Sequence, residues 1–156
     1  MRTLTADELK LQQRLVLRSA VLGLLVVAIV LAAFYYLVAP GIAFPSASAD
    51  PLAFALKIDV VLAILLLIAV QRVSSGRYRS AADNQGSAFG PPSDRIAVDA
   101  AFLQNTLEQG VIAFIVHLAV AATVTGDALV IIPAACVLFV AGRIAFRVGY
   151  PRGAGA

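Results

Sequence analysis

Two segments of this 156-residue chain place ionisable and amide side chains within long apolar runs. Asn105 and Glu108 lie three residues apart near the start of one run, and Arg143, Arg147 and Tyr150 close another. Residues three, four and seven apart share one face of an α-helix, so each set would form a single stripe. A charged side chain deep in a membrane span costs about 3 kcal/mol or more unless it is paired. These residues are therefore the first candidates for a functional site.

Two interpretations of this polar constellation remain open from the sequence alone. In the first, Glu108 and Arg143 form a buried ion pair that ties two helices together, and Asn105 completes the network. In the second, the residues line a cleft for a polar, anionic ligand, with arginine neutralising carboxylates and Glu108 receiving an amine. Charges inside a membrane serve both purposes, and the spacing favours neither.

The composition predicts an all-α integral membrane protein, a four-transmembrane-helix bundle that forms a single domain over residues 1–156. Hydrophobic residues make up 61% of the chain and charged residues 13%, whereas soluble domains carry about 25% charged residues. About 20 apolar residues in a helix cross a hydrocarbon core of about 30 Å. By this criterion we expect spans at about residues 15–38, 51–72, 99–125 and 128–150, with a cytoplasmic loop over residues 73–98.

The first span has an alternative interpretation as a signal peptide. Arg14 and Arg18 flank its apolar run, and Ala47-Ser48-Ala49 resembles a cleavage site. Signal peptides have shorter apolar regions, of about 7–15 residues, so we favour a retained membrane span.

Basic residues predict the orientation of the bundle. They flank helix 1, follow helix 2 and close helix 4: Arg2, Lys10, Arg14, Arg18, Arg72, Arg77, Arg79, Arg95, Arg143, Arg147 and Arg152. The connections at residues 39–50 and 126–127 contain no Lys or Arg. The positive-inside rule therefore places both termini and the long loop in the cytoplasm. We expect a multi-pass protein of the cell membrane.

Other residues argue against several classes of function. The net charge is only +3, and the basic residues lie beside the spans rather than in a patch with aromatic residues, so no nucleic-acid partner is expected. Cys136 is the lone cysteine, and His117 has no second His or Cys for a metal site, so we expect none. His117 lies on a different face from Glu108 and is expected to hydrogen-bond to a neighbouring helix. Asp59 needs a partner on another helix or a water-filled cleft.

The motifs resemble those of the MAPEG family, the membrane-associated proteins of eicosanoid and glutathione metabolism, in a divergent member of bacterial type. The family's second helix carries Asn-x-x-Glu, matched by Asn105-Thr106-Leu107-Glu108. Its third helix closes with Arg-x-x-Tyr/His-x-x-x-Tyr, matched by Arg143, Phe146 and Tyr150. An arginine at the cytoplasmic end of the family's first helix is matched by Arg72.

This resemblance, which runs from about residue 51 to residue 150, implies a homotrimer that binds glutathione in a cytoplasm-facing cleft between subunits. Arg72, Asn105, Glu108 and Tyr150 would contact glutathione, and Arg143 would be a contact or a structural tie. The implied enzyme is a glutathione transferase or peroxidase that acts on a lipophilic electrophile from the bilayer. Arg143 and Tyr150 are the candidate catalytic residues. The implied location is a bacterial inner membrane.

The chain also departs from the family pattern, which leaves a non-catalytic binding or scaffold protein of the same fold as the alternative. Ala101 replaces an arginine that often precedes the asparagine motif, and Phe146 lacks the hydroxyl or ring nitrogen of the family's aromatic residue. The family's thiolate-stabilising arginine would fall at or beyond Ala156. The chain has an extra first helix and lacks the family's last one, so helix 1 takes that place or the sequence is a piece of a longer protein.

Overall fold

The computed structural model describes residues 6–45, 50–88 and 90–153, and this part of the chain contains helices and turns but no strand. The α-helices are α1 (Ala6–Ala33), α2 (Asp50–Tyr78), α3 (Asp94–Thr123) and α4 (Ile131–Gly153). A π-helical turn, Phe34–Val38, and a 3-10 turn, Ala39–Gly41, extend α1, and a second 3-10 turn, Gly126–Val130, leads into α4. Four helical segments are long and apolar enough to cross a membrane, at Asp7–Gly41, Asp50–Tyr78, Asp94–Thr123 and Gly126–Gly149. The predicted all-α, four-span architecture is confirmed.

The connection between the second and third helices is shorter than the predicted loop over residues 73–98. Helix α2 continues through its polar end to Tyr78, and α3 begins at Asp94, so the connection covers residues 79–93. Helical hydrogen bonds do not need apolar side chains, and the arginine-bearing turns of both helices extend beyond their apolar runs. Residues 46–49, which include the Ala47-Ser48-Ala49 of the signal-peptide alternative, lie outside the described residues.

Helices α2 and α3 form the most extensive contact of the bundle, and α4 packs against both. A cluster of fully buried apolar side chains lies at the end where α3 turns into α4: Ala55, Ala121, Leu129 and Ile132. At this end the backbone N–H of Gly126 also bonds to the Pro45 carbonyl, at 3.2 Å. Helix α1 packs mainly on α4, and its apolar side chains are largely exposed. Exposed apolar side chains are tolerated in lipid, because there they contact hydrocarbon rather than water.

Glycine is required at two positions of the bundle. A Cβ atom on Gly76 of α2 would lie 2.6 Å from Cγ2 of the buried Ile96 of α3, so the two helices approach closely here only because no side chain intervenes. Gly126 has φ +63°, in the left-handed region that glycine adopts without strain, and it makes the turn out of α3. These two glycines position the two ends of α3.

The connection between α2 and α3 is organised around a buried carboxylate, Asp83. It accepts hydrogen bonds from the hydroxyl of Ser80 at 2.5 Å, from the backbone N–H of Ser93 at 2.8 Å and from the hydroxyl of Ser93 at 2.6 Å. The Ser80 bond and then the two Ser93 bonds lower the pKa of Asp83 below its ordinary value. Because the folded pKa is depressed, these bonds stabilise the connection at neutral pH and are lost as pH falls through that pKa.

The fold predicts which positions share a side of the membrane. Ala43→Cys and Asp127→Cys, at exposed positions joined through the Pro45–Gly126 contact, should both react with a membrane-impermeant maleimide added from one side. Ser87→Cys, in the connection at the opposite end, should react only from the other side. The buried Cys136 is first replaced by Ala so that only the introduced thiols report. Labelling of all three from the same side would contradict the four-span bundle.

Candidate functional site

An aspartate of α3 joins three helices at the end of the bundle where α2 and α4 finish and α3 begins, called here the arginine end. Oδ1 of Asp99 lies 3.0 Å from Nε of Arg72 on α2 and 3.0 Å from Nη2 of Arg147 on α4. The carboxylate is largely covered, whereas both arginines remain partly exposed. Exposed ion pairs contribute little, about 0–1 kcal/mol each. The main effect of the cluster is on geometry, since one carboxylate holds two guanidinium groups at fixed positions.

Arg143 contacts the predicted motif residue on α3. Its Nη1 donates a hydrogen bond to Oδ1 of Asn105. The guanidinium also lies over two aromatic rings of α4, 5.4 Å from the centroid of Phe139 and 5.8 Å from that of Phe146. Cation–π contacts of this length hold the guanidinium plane in place. Its Nε is buried and has no hydrogen-bond partner among the described residues.

The ion pair between Glu108 and Arg143, which the first interpretation of the sequence requires, does not form within the described residues. Glu108 is exposed, and its Oε1 accepts a hydrogen bond of 2.7 Å from the amide of Gln104, four residues earlier on α3. Asn105, three residues before Glu108, takes the position towards Arg143 instead. Three residues correspond to about 300° of helical rotation, so the neighbouring stripe is displaced by about 60° and can miss a partner that contacts the first.

The remaining predicted residue, Tyr150, belongs to the last turns of α4, and the position of its side chain lies outside the described part of the structure. Of the predicted site residues, the structure thus brings Asn105 and Arg143 into contact. It places Arg72 in the adjacent Asp99 cluster and leaves Glu108 on an exposed face.

Two cavities adjoin Arg72 at the arginine end. One, of about 220 Å³, lies between α2 and α4 and is lined by Arg72, Arg143 and Arg147 together with apolar side chains. The other, of about 330 Å³, lies between α2 and α3 and is lined by Arg72, Arg79, Arg95 and Asp99 among others. Each cavity has more guanidinium groups than carboxylates. The arrangement can therefore attract and orient an anionic ligand.

Asp99 is a candidate site residue that the sequence alone did not reveal. The signal in the sequence was the group of arginines near the ends of α2 and α4. Arginines in or near a membrane span need carboxylate partners, and α3 is the neighbouring helix that can supply one. Asp99 precedes Asn105 by six residues, within two turns on the same helix. Asp99 is the first residue of the predicted span over residues 99–125, where a carboxylate can be solvated, whereas the structure shows it in contact with both neighbouring helices.

A second polar contact lies deeper in the bundle and confirms two predictions. Nδ1 of His117 on α3 lies 2.5 Å from Oδ1 of Asp59 on α2, and both side chains are only 3% exposed. His117 thus forms the expected bond to a neighbouring helix, and Asp59 has its partner there. No group of three or more His, Cys, Asp or Glu side chains within the described ranges could hold a metal ion.

Comparison with known families identifies the fold. The model of the MAPEG family matches residues 52–156, which include α2, α3 and α4 and exclude α1. The chain belongs to the MAPEG family, a four-helix membrane family. No curated protein and no solved structure matches it.

The residues present fit glutathione, an anionic tripeptide with two carboxylates, one ammonium and one thiol. Guanidinium groups bind carboxylates through paired N–H donors, and three of them line one cavity. One of the three is Arg143, whose Nε is buried and has no hydrogen-bond partner among the described residues.

The Asp99 cluster should respond to mutation as a unit. Asp99→Asn removes the charge that both arginines share and should lower the free energy of unfolding by about 1 kcal/mol. Arg72→Gln and Arg147→Gln should each cost less, because Asp99 keeps its other arginine. Glu108→Gln is the matched acidic control on α3 and should stay within about 0.5 kcal/mol of the parent. Reversible unfolding in detergent measures all four, and a larger loss for Glu108→Gln than for Asp99→Asn would contradict this site.

Proposed function

We propose that this membrane protein binds glutathione at the arginine end and transfers it to a lipophilic electrophile that enters from the bilayer. The observation that carries the proposal is the cavity between α2 and α4, where Arg72, Arg143 and Arg147 meet and the buried Nε of Arg143 has no described partner. Family membership supports the same conclusion, because the family includes proteins of glutathione metabolism.

Binding would use the excess positive charge. Asp99 neutralises part of the charge of Arg72 and Arg147, while Arg143 is held only by the neutral amide of Asn105 and by aromatic rings. Of the three arginines at this cavity, Arg143 is thus the one whose charge is least compensated by the described residues. A ligand carboxylate or thiolate would gain most by contact with it.

The transfer would depend on the thiolate form of glutathione. Nearby positive charge lowers the pKa of a thiol, and the thiolate is the nucleophile. In the proposed reaction the thiol proton leaves to solvent, the sulfur forms a bond with an electrophilic carbon, and the leaving group departs with the bonding electrons. Arg143 would stabilise the thiolate, and Tyr150 would donate a hydrogen bond to the sulfur.

A homotrimer would complete the cleft. Glu108 is exposed on α3, at one turn from Gln104, and is not paired with any of the described arginines of its own chain. In an assembly this carboxylate would face the cleft between subunits and receive the ammonium group of glutathione. The proposed orientation places the arginine end and both termini in the cytoplasm, where glutathione is abundant, and the proposed location is a bacterial inner membrane.

One observation favours the alternative, a non-catalytic binding or scaffold protein of the same fold. The aromatic ring 5.8 Å from the Arg143 guanidinium is Phe146, which offers no hydroxyl or ring nitrogen to a sulfur atom. Such a protein would keep the anion site and bind glutathione without activating its thiol. Binding and conjugation therefore have to be measured separately.

Glutathione should protect the parent protein against thermal unfolding. At a hundredfold excess over Kd the bound ligand adds about 2.7 kcal/mol to the stability. Arg143→Gln should abolish most of this protection, because it removes the guanidinium with the unsatisfied donor. Arg14→Gln, which removes the same charge from an exposed position of α1, is the matched control and should keep full protection.

Conjugation of glutathione to chlorodinitrobenzene then separates the two functions. Turnover by the parent and its loss in Arg143→Gln support the transferase. Protection without turnover supports the binding protein. Absence of protection at millimolar glutathione, in a protein whose unfolding is otherwise cooperative, would contradict glutathione binding.

A further inference from the structure

The cavity between α2 and α3 at the arginine end lies where the apolar part of α2 gives way to its polar end. The stretch of α2 over residues 51–70 is about long enough to cross a hydrocarbon core of about 30 Å, and the lining of the cavity begins at the next residue, Gln71. Its volume, about 330 Å³, is that of a small-molecule site. Only Arg72 also lines the cavity between α2 and α4 that is proposed for glutathione. It is therefore a second polar space, at the level of the lipid headgroups.

Positive charge dominates the wall of this cavity. Arg72, Arg79 and Arg95 line it together with a single carboxylate, that of Asp99, which leaves a net charge of +2. The carboxylate is already bonded to Arg72 and is shared with Arg147 of α4. Among the described residues, no carboxylate forms an ion pair with Arg79 or Arg95. A wall of this composition attracts an anion.

Hydrogen-bond donors from both helices surround the same space. Nη1 of Arg95 donates to the backbone carbonyl of Arg79, at 3.3 Å, and so joins the start of α3 to the end of α2. A guanidinium group carries five N–H donors, so this bond leaves most of them for a ligand. On α2, Nε2 of Gln71 donates to Oγ of Ser75, at 3.3 Å, and a hydroxyl that accepts a bond can still donate its own proton. Guanidinium and hydroxyl donors together suit the several oxygens of a phosphate group.

The inner side of the cavity is closed by the contact between Gly76 and Ile96. Both residues line the cavity, and a Cβ atom on Gly76 would lie 2.6 Å from Cγ2 of Ile96. An anion that enters can therefore reach the guanidinium groups but cannot pass further between the two helices.

An apolar stripe on the outside of α2 leads to the cavity. Ile64, Leu67 and Gln71 follow one another at three and four residues, so they share one face of the helix. Ile64 is 50% exposed and Leu67 is 66% exposed. In a bilayer these two side chains contact acyl chains, and Gln71 at the edge of the cavity comes next along the same face. A molecule with a phosphate group and acyl chains would occupy both the cavity and the stripe, whereas free phosphate would use the cavity alone.

We propose that this cavity binds a phosphate group and that an anionic phospholipid supplies it. The phosphate accepts hydrogen bonds from Arg79, Arg95 and the hydroxyl of Ser75, and an acyl chain lies along Ile64 and Leu67. Basic pockets between membrane helices bind the headgroups of anionic lipids in this way. The net positive charge favours them over zwitterionic lipids, whose ammonium group neutralises their own phosphate. The site does not depend on glutathione binding, because neither Arg79 nor Arg95 lines the cavity between α2 and α4.

Lipid titration of the full chain in detergent, followed by native mass spectrometry, tests the site. Dioleoyl phosphatidylglycerol is compared with dioleoyl phosphatidylcholine, which has the same acyl chains and a phosphate but no net charge. The parent should bind phosphatidylglycerol about tenfold more tightly. The double variant Arg79→Gln/Arg95→Gln should reduce this preference to about twofold, because each arginine near the membrane surface adds to the attraction. Arg14→Gln/Arg18→Gln is the matched control, which removes the same charge from exposed positions of α1 and should keep the preference.

Competition by soluble anions identifies the source of the phosphate. Inorganic phosphate and glycerophosphoglycerol, the headgroup without acyl chains, should not displace phosphatidylglycerol at equal concentration, and displacement by either would overturn the assignment to a lipid.

Two further variants separate this site from charge in general and from the glutathione site. Arg79→Lys/Arg95→Lys keeps the charge and should restore most of the preference, and it also shows that a loss in the glutamine variant is not a failure to fold. Arg143→Gln should keep the lipid preference whatever it does to glutathione binding. Equal binding of the two lipids by the parent, or an equal loss of preference in the Arg14→Gln/Arg18→Gln control, would overturn the proposal.

Discussion

The contact between His117 and Asp59 is the interaction on which the arrangement of α2 and α3 depends. Both side chains lie in the interior of long apolar helices, separated by 2.5 Å and almost completely buried. Apolar packing alone gives little preference for one helix register in lipid, because hydrocarbon surrounds each helix equally well. A slip of one residue on either helix rotates its side chain by about 100° and leaves two buried polar groups unpaired. The pair thus selects one register, and that register places Arg72 of α2 opposite Asp99 of α3.

Once α2 and α3 are in register, α4 joins them through polar contacts of its own, and some buried polar atoms remain unpaired. Arg147 shares Asp99 with Arg72, and Arg143 bonds to Asn105, so α4 contacts α3 through two polar interactions that are six residues apart on α3. Three buried atoms have no hydrogen-bond partner within the described bundle: Nε of Arg143 and Oγ1 of Thr106 near these contacts, and Oδ2 of Asp59 at the contact with His117. Each belongs to a residue that lines a cavity. Residues that hold the helices together therefore also form part of the cavity walls.

Much of the fold follows from the sequence, and less of the site does. The apolar runs predict four helices because few other structures satisfy the backbone in lipid, and the need for a partner predicts that Asp59 and His117 bond across helices. The choice of partner at the arginine end depends on helix rotation to within tens of degrees, which spacing on a single helix does not determine. Glu108 and Asn105 differ by three residues, and only Asn105 contacts Arg143. Asp99 was missed for a related reason, because a carboxylate near a helix end is usually solvated and its contacts depend on the neighbouring helices.

The most direct measurement of this account is a double-mutant cycle between Asp59 and His117. The free energy of unfolding in detergent is compared for Asp59→Leu, His117→Leu and the double variant. Each single change leaves one buried polar group without its partner, whereas the double change replaces both with apolar groups. The account predicts that the double variant is more stable than the sum of the single losses allows, with a coupling of about 1 kcal/mol or more. Strictly additive losses would show that the two residues act independently and would contradict the central role of this contact.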